Sequence, residues 1–405
     1  MGNNKNGVYI IIISLYCVSF FSQFLVARDV VYRDLFSIFN LFFSFINIFL
    51  IVYPWSYANV QFLHVKNNSF FIFLKRILYT VLLINLLLNI GILVVVFTFI
   101  PNIAEFKAEQ AFLKLYDQIP YFANIFRYAY VSQNLGYFAI PIFFYELSNG
   151  NWKRAKIAII FASSSLISGI AFYSRAQIFT FVMVFISYFF LVKNCLPSII
   201  RISTLKYLKL FSIVIISFFI LITFLRFSEM SYYGERIPST SIIQNPILYS
   251  LVDYASQGFS NGFIQLERYD ESKFLHGEQL FRDIYQILNF FGFISWDAND
   301  SQDKIDIAYD YDGGAFNGYT TPLVFNLGYF FAFVVSLIYF LLVRKFVKGK
   351  TIINLESSLK IIVFLFIPIV SIFYVGYPML YFPLLFLLFV RILFFIFIFL
   401  KHIKF

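Results

Sequence analysis

Four arginines stand where an apolar run meets its polar flank or lies just inside it: Arg127, Arg175, Arg226 and Arg236. A guanidinium at lipid-headgroup depth can pair bidentately with phosphate or pyrophosphate oxygens and stabilise charge developing on such a leaving group. An ionisable group in an apolar run is a functional candidate by default. The same placement also serves plain anchoring, with long basic side chains reaching up to lipid phosphates. For these arginines both readings stand, and the chemical one predicts Arg175 and Arg226 as the pair acting on the leaving group. Arg127 and Arg236 are then secondary phosphate or substrate contacts.

Other candidates lie in the polar interval that follows Arg226. Glu229, Glu235, Asp253 and Asp283 are available to take a proton from a sugar hydroxyl, and Glu235 is the choice because it adjoins Arg236. His276 can bind phosphate or act as a base, although a single histidine in FLHGEQ reads more simply as a solvated side chain. Arg268 and Arg282 offer further substrate contacts or loop ion pairs. The run DANDSQDKIDIAYDYDGG contains Asp310-Tyr311-Asp312, the form of a metal-holding acidic pair. It fails the calcium-loop pattern, because Gln302 and Ala308 stand where Gly and Glu are needed, so no metal is expected.

These residues need a membrane scaffold. The chain has 405 residues, of which 60% are hydrophobic and only 13% charged, with a mean hydropathy of +0.80. A soluble core cannot hide that much apolar surface, since soluble chains carry about 25% charged residues. An all-α polytopic membrane protein follows, with about ten transmembrane helices over 8–27, 35–57, 77–100, 121–145, 157–173, 178–192, 208–225, 318–343, 361–376 and 380–400. Residues 1–225 hold the first seven, 226–317 form one long outward loop with short interfacial helices, and 318–405 hold the last three. Within the loop, QLFRDIYQILNFFGFISW has the spacing of an amphipathic helix lying on a membrane surface.

Lys and Arg alternate between loops so that both termini fall on the cytoplasmic side of a bacterial inner membrane. The net charge of +10 hides a division: 226–317 carries six basic and fourteen acidic residues, a balance of −8, which leaves +18 elsewhere. The positive groups therefore face an anionic leaflet, and nucleic acid is excluded as a partner. Cys17 and Cys195 lie in distant segments and suggest neither a disulfide nor a metal site. No internal repeat is visible, nor a matched pair of broken hydrophobic segments, which speaks against a secondary transporter.

Two motifs resemble a known family. The stretch GGAFNGYTTPLVFNLGYFF, with Phe316, Asn317, Thr320, Asn326 and Gly328, and the turn YSRAQIF, with Ser174 and Arg175, look like those of the O-antigen and capsule repeat-unit polymerases of the Wzy type. The likeness extends to span count and the long late loop. Asn326 replaces the family's usual acidic residue, and Arg282 and Gly292 stand one residue short of an Arg-to-Gly spacing found in some members.

The resemblance implies a GT-C-like helical fold, with Asn317 and Thr320 at the substrate. It implies a glycosyltransferase of lipopolysaccharide biosynthesis that docks two undecaprenyl-pyrophosphate-linked oligosaccharides, transfers the growing glycan and releases undecaprenyl pyrophosphate. No soluble cofactor is needed, and the partners are membrane lipids and a chain-length regulator. On this reading the outward loop covers the sugars while the rim arginines hold the pyrophosphate. An O-antigen ligase passing the glycan to lipid A core, and a flippase or other transporter, are the alternatives.

Overall fold

The computed structural model describes residues 7–26, 37–60, 62–63, 69–99, 125, 129, 133–172, 174–228, 237–309, 316–349, 352–376 and 378–403. Among the described residues, apart from two strands of two residues each, the regular structure is helical. Eight helices among the described residues are long and apolar enough to cross a membrane: Gly7–Val26, Ile38–Tyr57, Ser69–Phe99, Trp152–Ala171, Arg175–Cys195, Ser198–Phe224, Thr320–Val347 and Tyr381–Leu400. They fall on eight of the ten expected spans. Much of the expected fourth span lies outside the described residues. The ninth is met by a 16-residue helix, Leu355–Val370, ending in a turn.

Contacts divide the chain into two units. The first takes 1–58, 231–348 and 365–378, and so includes most of the long polar interval. Its helices are α1 (Gly7–Val26), α2 (Ile38–Val52), α8 (Pro246–Glu267), α9 (Arg282–Phe290), α10 (Ala298–Tyr309) and α11 (Thr320–Val347). The second takes 59–230, 349–364 and 379–405. It holds α3 (Ser69–Phe99), α4 (Ala139–Ser148), α5 (Trp152–Ala171), α6 (Arg175–Val192), α7 (Ser198–Ser228) and most of α13 (Pro378–Ile403), while α12 (Leu355–Val370) gives residues to each.

Helix α11 departs most from expectation. A straight helix would separate Tyr319 from Ser336 by about 25 Å, at ~1.5 Å per residue. Instead the Tyr319 hydroxyl and the Ser336 Oγ are hydrogen-bonded at 3.0 Å. The chain folds back at Gly328, whose φ of 73° and ψ of 168° lie in a region nearly reserved for glycine. The expected eighth span is thus a short arm, residues 320–327, followed by a long one. The break frees carbonyls at the end of the short arm, and the loop supplies a donor: Leu275 N–H bonds the Phe325 carbonyl at 2.8 Å. Asn326 completes the junction by accepting from Gln279 N–H and donating to Gln279 Oε1, each at 3.0 Å. That reciprocal pairing suits an amide, which both donates and accepts; a carboxylate has no hydrogen to give.

The long arm runs parallel to α2, because a two-turn step on one matches a two-turn step on the other. Tyr329 donates to Asn40 Oδ1 at 2.7 Å and Ser336 to Asn47 Oδ1 at 2.6 Å. Trp55, fully buried, donates to the Tyr339 hydroxyl at 3.0 Å. Between apolar helices such polar pairs, together with close packing, hold the interface.

A second break follows α12. Residues 371–376 leave the helix, Phe373 N–H returning to the Val370 carbonyl and Ser371 N–H to Ile367. Gly318 N–H then donates to the Phe373 carbonyl at 2.9 Å, joining the two irregular segments. Two broken apolar segments therefore meet, a feature absent from the sequence-based expectation.

Helix α8 closes this junction. Asn245 caps its N-terminus by accepting from Ile247 and Leu248, and Pro246 occupies the first turn. Ser19 of α1 donates to the Ala255 carbonyl, and Phe259 sets its ring edge-on to Tyr16 and Phe20. Gly258 and Gly262, four apart, let backbone approach backbone. A Cβ at 258 would stand 1.7 Å from the Ile372 carbonyl oxygen, and one at 262 would stand 2.7 Å from that of Asn317.

In the second unit the fully buried Glu146 is ion-paired with Lys75, and Asn151 donates to its other oxygen at 2.9 Å. Gly136 lies against Ser164 and Ser165 of α5, with no room for a Cβ. Phe144 packs among Phe185, Tyr188 and Phe189.

Gly258→Ala forces two backbones apart and lowers the thermal unfolding midpoint in detergent by many degrees, or abolishes folded yield. Gly91→Ala in α3, where nothing lies within 4 Å of the added carbon, leaves the midpoint unchanged or raises it, by up to about 1 kcal/mol of stability. Thermal melts of the two variants beside the wild type decide the matter.

Candidate functional site

Arg175 begins α6. The preceding Ser174 caps the helix, its Oγ accepting from Gln177 N–H, and its own N–H returns to the Gly169 carbonyl at 2.7 Å. The expected hairpin turn is thus a capped helix start, and it fixes where the guanidinium goes. Arg175 is only 6% exposed. It donates from Nη1 to Thr223 Oγ1 at 3.4 Å and lies over the Phe219 ring, 5.8 Å from the centroid. A cation at a helix N-terminus opposes the helix dipole. Guanidinium and helix end together place positive charge at this end of α6.

Position 226 follows on the same stripe of α7 as Phe219 and Thr223, by steps of four and three residues. The backbone therefore brings positions 175 and 226 to one end of the α6–α7 pair. Glu235, Arg236 and Arg127 lie outside the described residues, as do Asp310 and Asp312.

The remaining candidates belong to the first unit. His276 is exposed at a left-handed turn position, φ 50°, with its ring edge on Phe274. Its backbone carbonyl accepts from the Tyr285 hydroxyl at 3.0 Å. Arg282 opens α9, half-buried, and donates to Gln302 at 3.3 Å. The expected amphipathic helix is α9, and Ile284 on it, with Phe291 and Phe293 just beyond, is exposed. Residues 298–309 of the acidic run form α10, which Asp297 caps by accepting from Asp300 N–H at 3.1 Å. Among the described residues no three His, Cys, Asp or Glu side chains gather as a metal site.

Asn317 and Thr320 are buried together in a cavity of about 20 Å³, lined also by Tyr16, Ser44, Thr321 and Ser371. That is room for roughly one water-sized group. Thr321 spends its hydroxyl on the Gly262 carbonyl at 2.7 Å. The hydroxyls of Tyr16 and Thr320, each on a residue 5% exposed, make no hydrogen bond among the described residues. No charged side chain lines the cavity, so it suits a hydroxyl or amide rather than a phosphate. Sequence reasoning named Asn317 and Thr320 but missed Tyr16, Ser44 and Ser371. The contact of Gly258 and Gly262 with the Asn317–Gly318 turn was signalled only by their four-residue spacing.

Replacing an unbonded buried hydroxyl by a methyl or hydrogen removes a desolvated polar group and leaves stability unchanged or raised by about 1 kcal/mol. Thr320→Val and Tyr16→Phe therefore keep or raise the melting midpoint, which thermal melts in detergent beside the wild type check.

The loop has an acid-sensitive contact. Burial works to raise the Glu278 carboxyl, but the Lys304 ammonium bonded to it, with the Ser301 and Trp296 donors nearby, outweighs burial and holds the group below its ordinary 4.5. The Lys304–Glu278 pair measures 3.0 Å. A depressed carboxylate contributes stability that is full above its unfolded pKa and is lost as pH falls through the folded one. Amide exchange over 275–309 accordingly accelerates below pH 4.5, and Lys304→Gln brings that acceleration to higher pH.

Compared with family models, with curated proteins and with solved structures, the chain matches none.

Proposed function

We propose that the protein is a membrane glycosyltransferase that joins undecaprenyl-pyrophosphate-linked oligosaccharide repeat units into O-antigen or capsule polysaccharide on the outer face of a bacterial inner membrane. A hydroxyl of the incoming unit attacks the anomeric carbon of the growing glycan, and the bond from that carbon to the pyrophosphate oxygen breaks. The hydroxyl proton leaves to a base, for which Glu235 is the candidate, and undecaprenyl pyrophosphate departs as the anion.

One observation supports the reading: Arg175 is buried at the positive end of α6 and bonds Thr223, which lies one helical turn before position 226 on α7. A leaving pyrophosphate calls for fixed positive charge more than for a nucleophile. The neutral, hydroxyl-lined cavity at Thr320 is the complementary kind of surface for a sugar. The two sequence motifs resembling the repeat-unit polymerases contain Arg175, Asn317 and Thr320.

A transporter is the second reading, favoured by the two broken segments that meet at Gly318 and Phe373. Irregular backbone at membrane depth is common where transported solutes bind.

Deletion separates the readings. Loss of a polymerase leaves core bearing a single repeat unit, loss of a ligase leaves core bearing none, and loss of a flippase strands lipid-linked units on the inner leaflet. Within the polymerase reading, Arg175→Ala at matched membrane levels lowers polymer by 100-fold or more, taking about 3 kcal/mol for one lost charge contact in the transition state. Arg175→Lys fails as well if the contact is bidentate. Normal polymer from the Ala variant overturns the assignment of Arg175.

A further inference from the structure

The second unit contains a larger and chemically different cavity. It has a volume of about 490 Å³ and lies among α4, α5, α6 and α7. That is within the usual range for ligand sites and roughly three times an engineered apolar cavity that takes benzene. Its walls are Phe143, Leu147, Ile159, Leu166, Phe181 and Phe185, so its body is apolar. Its other lining is polar and aromatic: Lys156, Ser203 and Thr204, with Trp152 52% exposed and Tyr207 70% exposed.

Charge identifies the occupant. Lys156 lines the cavity, and Lys153 lies one turn before it on the same face of α5. Arg201 precedes Thr204 and Leu208 on the lining stripe of α7 at steps of three and four residues. From Asn149 to Lys209 the chain contains seven Lys and Arg residues besides Arg175 and no Asp or Glu. The preceding acid, Glu146, is fully buried and paired with Lys75. A long apolar trough with a cationic, hydroxyl-bearing edge and two exposed aromatics has the chemistry of one acyl chain joined to an anionic headgroup.

We propose that this cavity is a specific site for an anionic phospholipid, its chain along the apolar walls and its phosphate at Lys156, Lys153 and Arg201. The site stands apart from glycosyl transfer and does not depend on that assignment. It explains why α5 and α7 present cations beside a trough rather than simply at a helix end. The bound lipid fills space between helices that otherwise exposes apolar surface.

The test uses the full chain reconstituted in vesicles and the tryptophan at the cavity mouth. Fluorescence quenching by phosphatidylglycerol brominated along its chains is compared with quenching by brominated phosphatidylcholine. The signal of the Trp152→Phe variant is subtracted, which isolates Trp152. Trp152 is expected to prefer the anionic lipid about fivefold or more, as a few cations near a headgroup provide. Lys153→Gln with Lys156→Gln, both at exposed positions, brings the ratio close to one. Soluble glycerol phosphate does not compete, because the chain is needed. Equal quenching by the two lipids identifies ordinary bilayer lipid and overturns the proposal, as does no quenching at all. Displacement by glycerol phosphate also overturns it, since headgroup binding alone would then suffice.

Discussion

An interrupted helix in an apolar surrounding must find partners for the backbone groups that the interruption frees, and this requirement organises the first unit. Each unpaired amide or carbonyl costs several kcal/mol where water cannot reach it. The turn that leads into α11 and the break after α12 settle part of that cost against one another. Gly318 N–H takes the Phe373 carbonyl, while Leu275 of the loop takes the Phe325 carbonyl freed at Gly328. The loop is consequently part of the fold of the broken segment. Removing it would strip a partner from the backbone it caps. Gly258 matters for the same reason, since only a residue without a Cβ lets α8 come close enough to seal the junction.

The second unit answers a different constraint. Several of its polar and ionic groups are placed against identifiable counterparts: Glu146 with Lys75 and Asn151, Tyr188 with Ser358, Lys360 and Arg391 with Glu356. Arg175 is buried beside Thr223 and the Phe219 ring, at the N-terminal end of α6, where the helix dipole disfavours a cation.

Much of this was legible in the sequence and some was not, for physical reasons. Long apolar runs give their spans away, as Ser69–Phe99 and Trp152–Ala171 did, because lipid-facing surface must be apolar along its length. Ser174-Arg175 was read as a turn between two apolar runs, and a serine before a helical run was the sign that a capped helix starts there. Helix α8 was hidden. Its buried face includes Ser256, Ser260, Asn261 and Gln265, so its hydropathy is that of a loop although its packing is that of a core. Asn245-Pro246 and the pair Gly258 and Gly262 were the signs that could have revealed it. The fold-back at Gly328 was hidden differently, since one glycine in an apolar run is ordinarily tolerated. Only its three-dimensional setting, with Tyr319 bonded to Ser336, shows that the helix ends there.

The two candidate surfaces also constrain which substrate class deserves priority. The Arg175 end is cationic and suits phosphate oxygens. The Thr320 cavity lacks ionic groups and offers hydroxyls, an amide and the start of a helix, so a phosphate placed there would find no charged side chain to offset its desolvation. A purely anionic solute would use the first surface and waste the second, while a neutral sugar would do the reverse. Each surface taken by itself matches one part of a lipid-pyrophosphate-linked glycan, the first its phosphates and the second its hydroxyls. The acidity of 226–317, eight net negative charges, is compatible with that assignment because the interval then meets hydroxyls and leaves the phosphate to the arginines. This matching of chemistries, more than span count, makes lipid-linked glycan transfer the reading to test before transport.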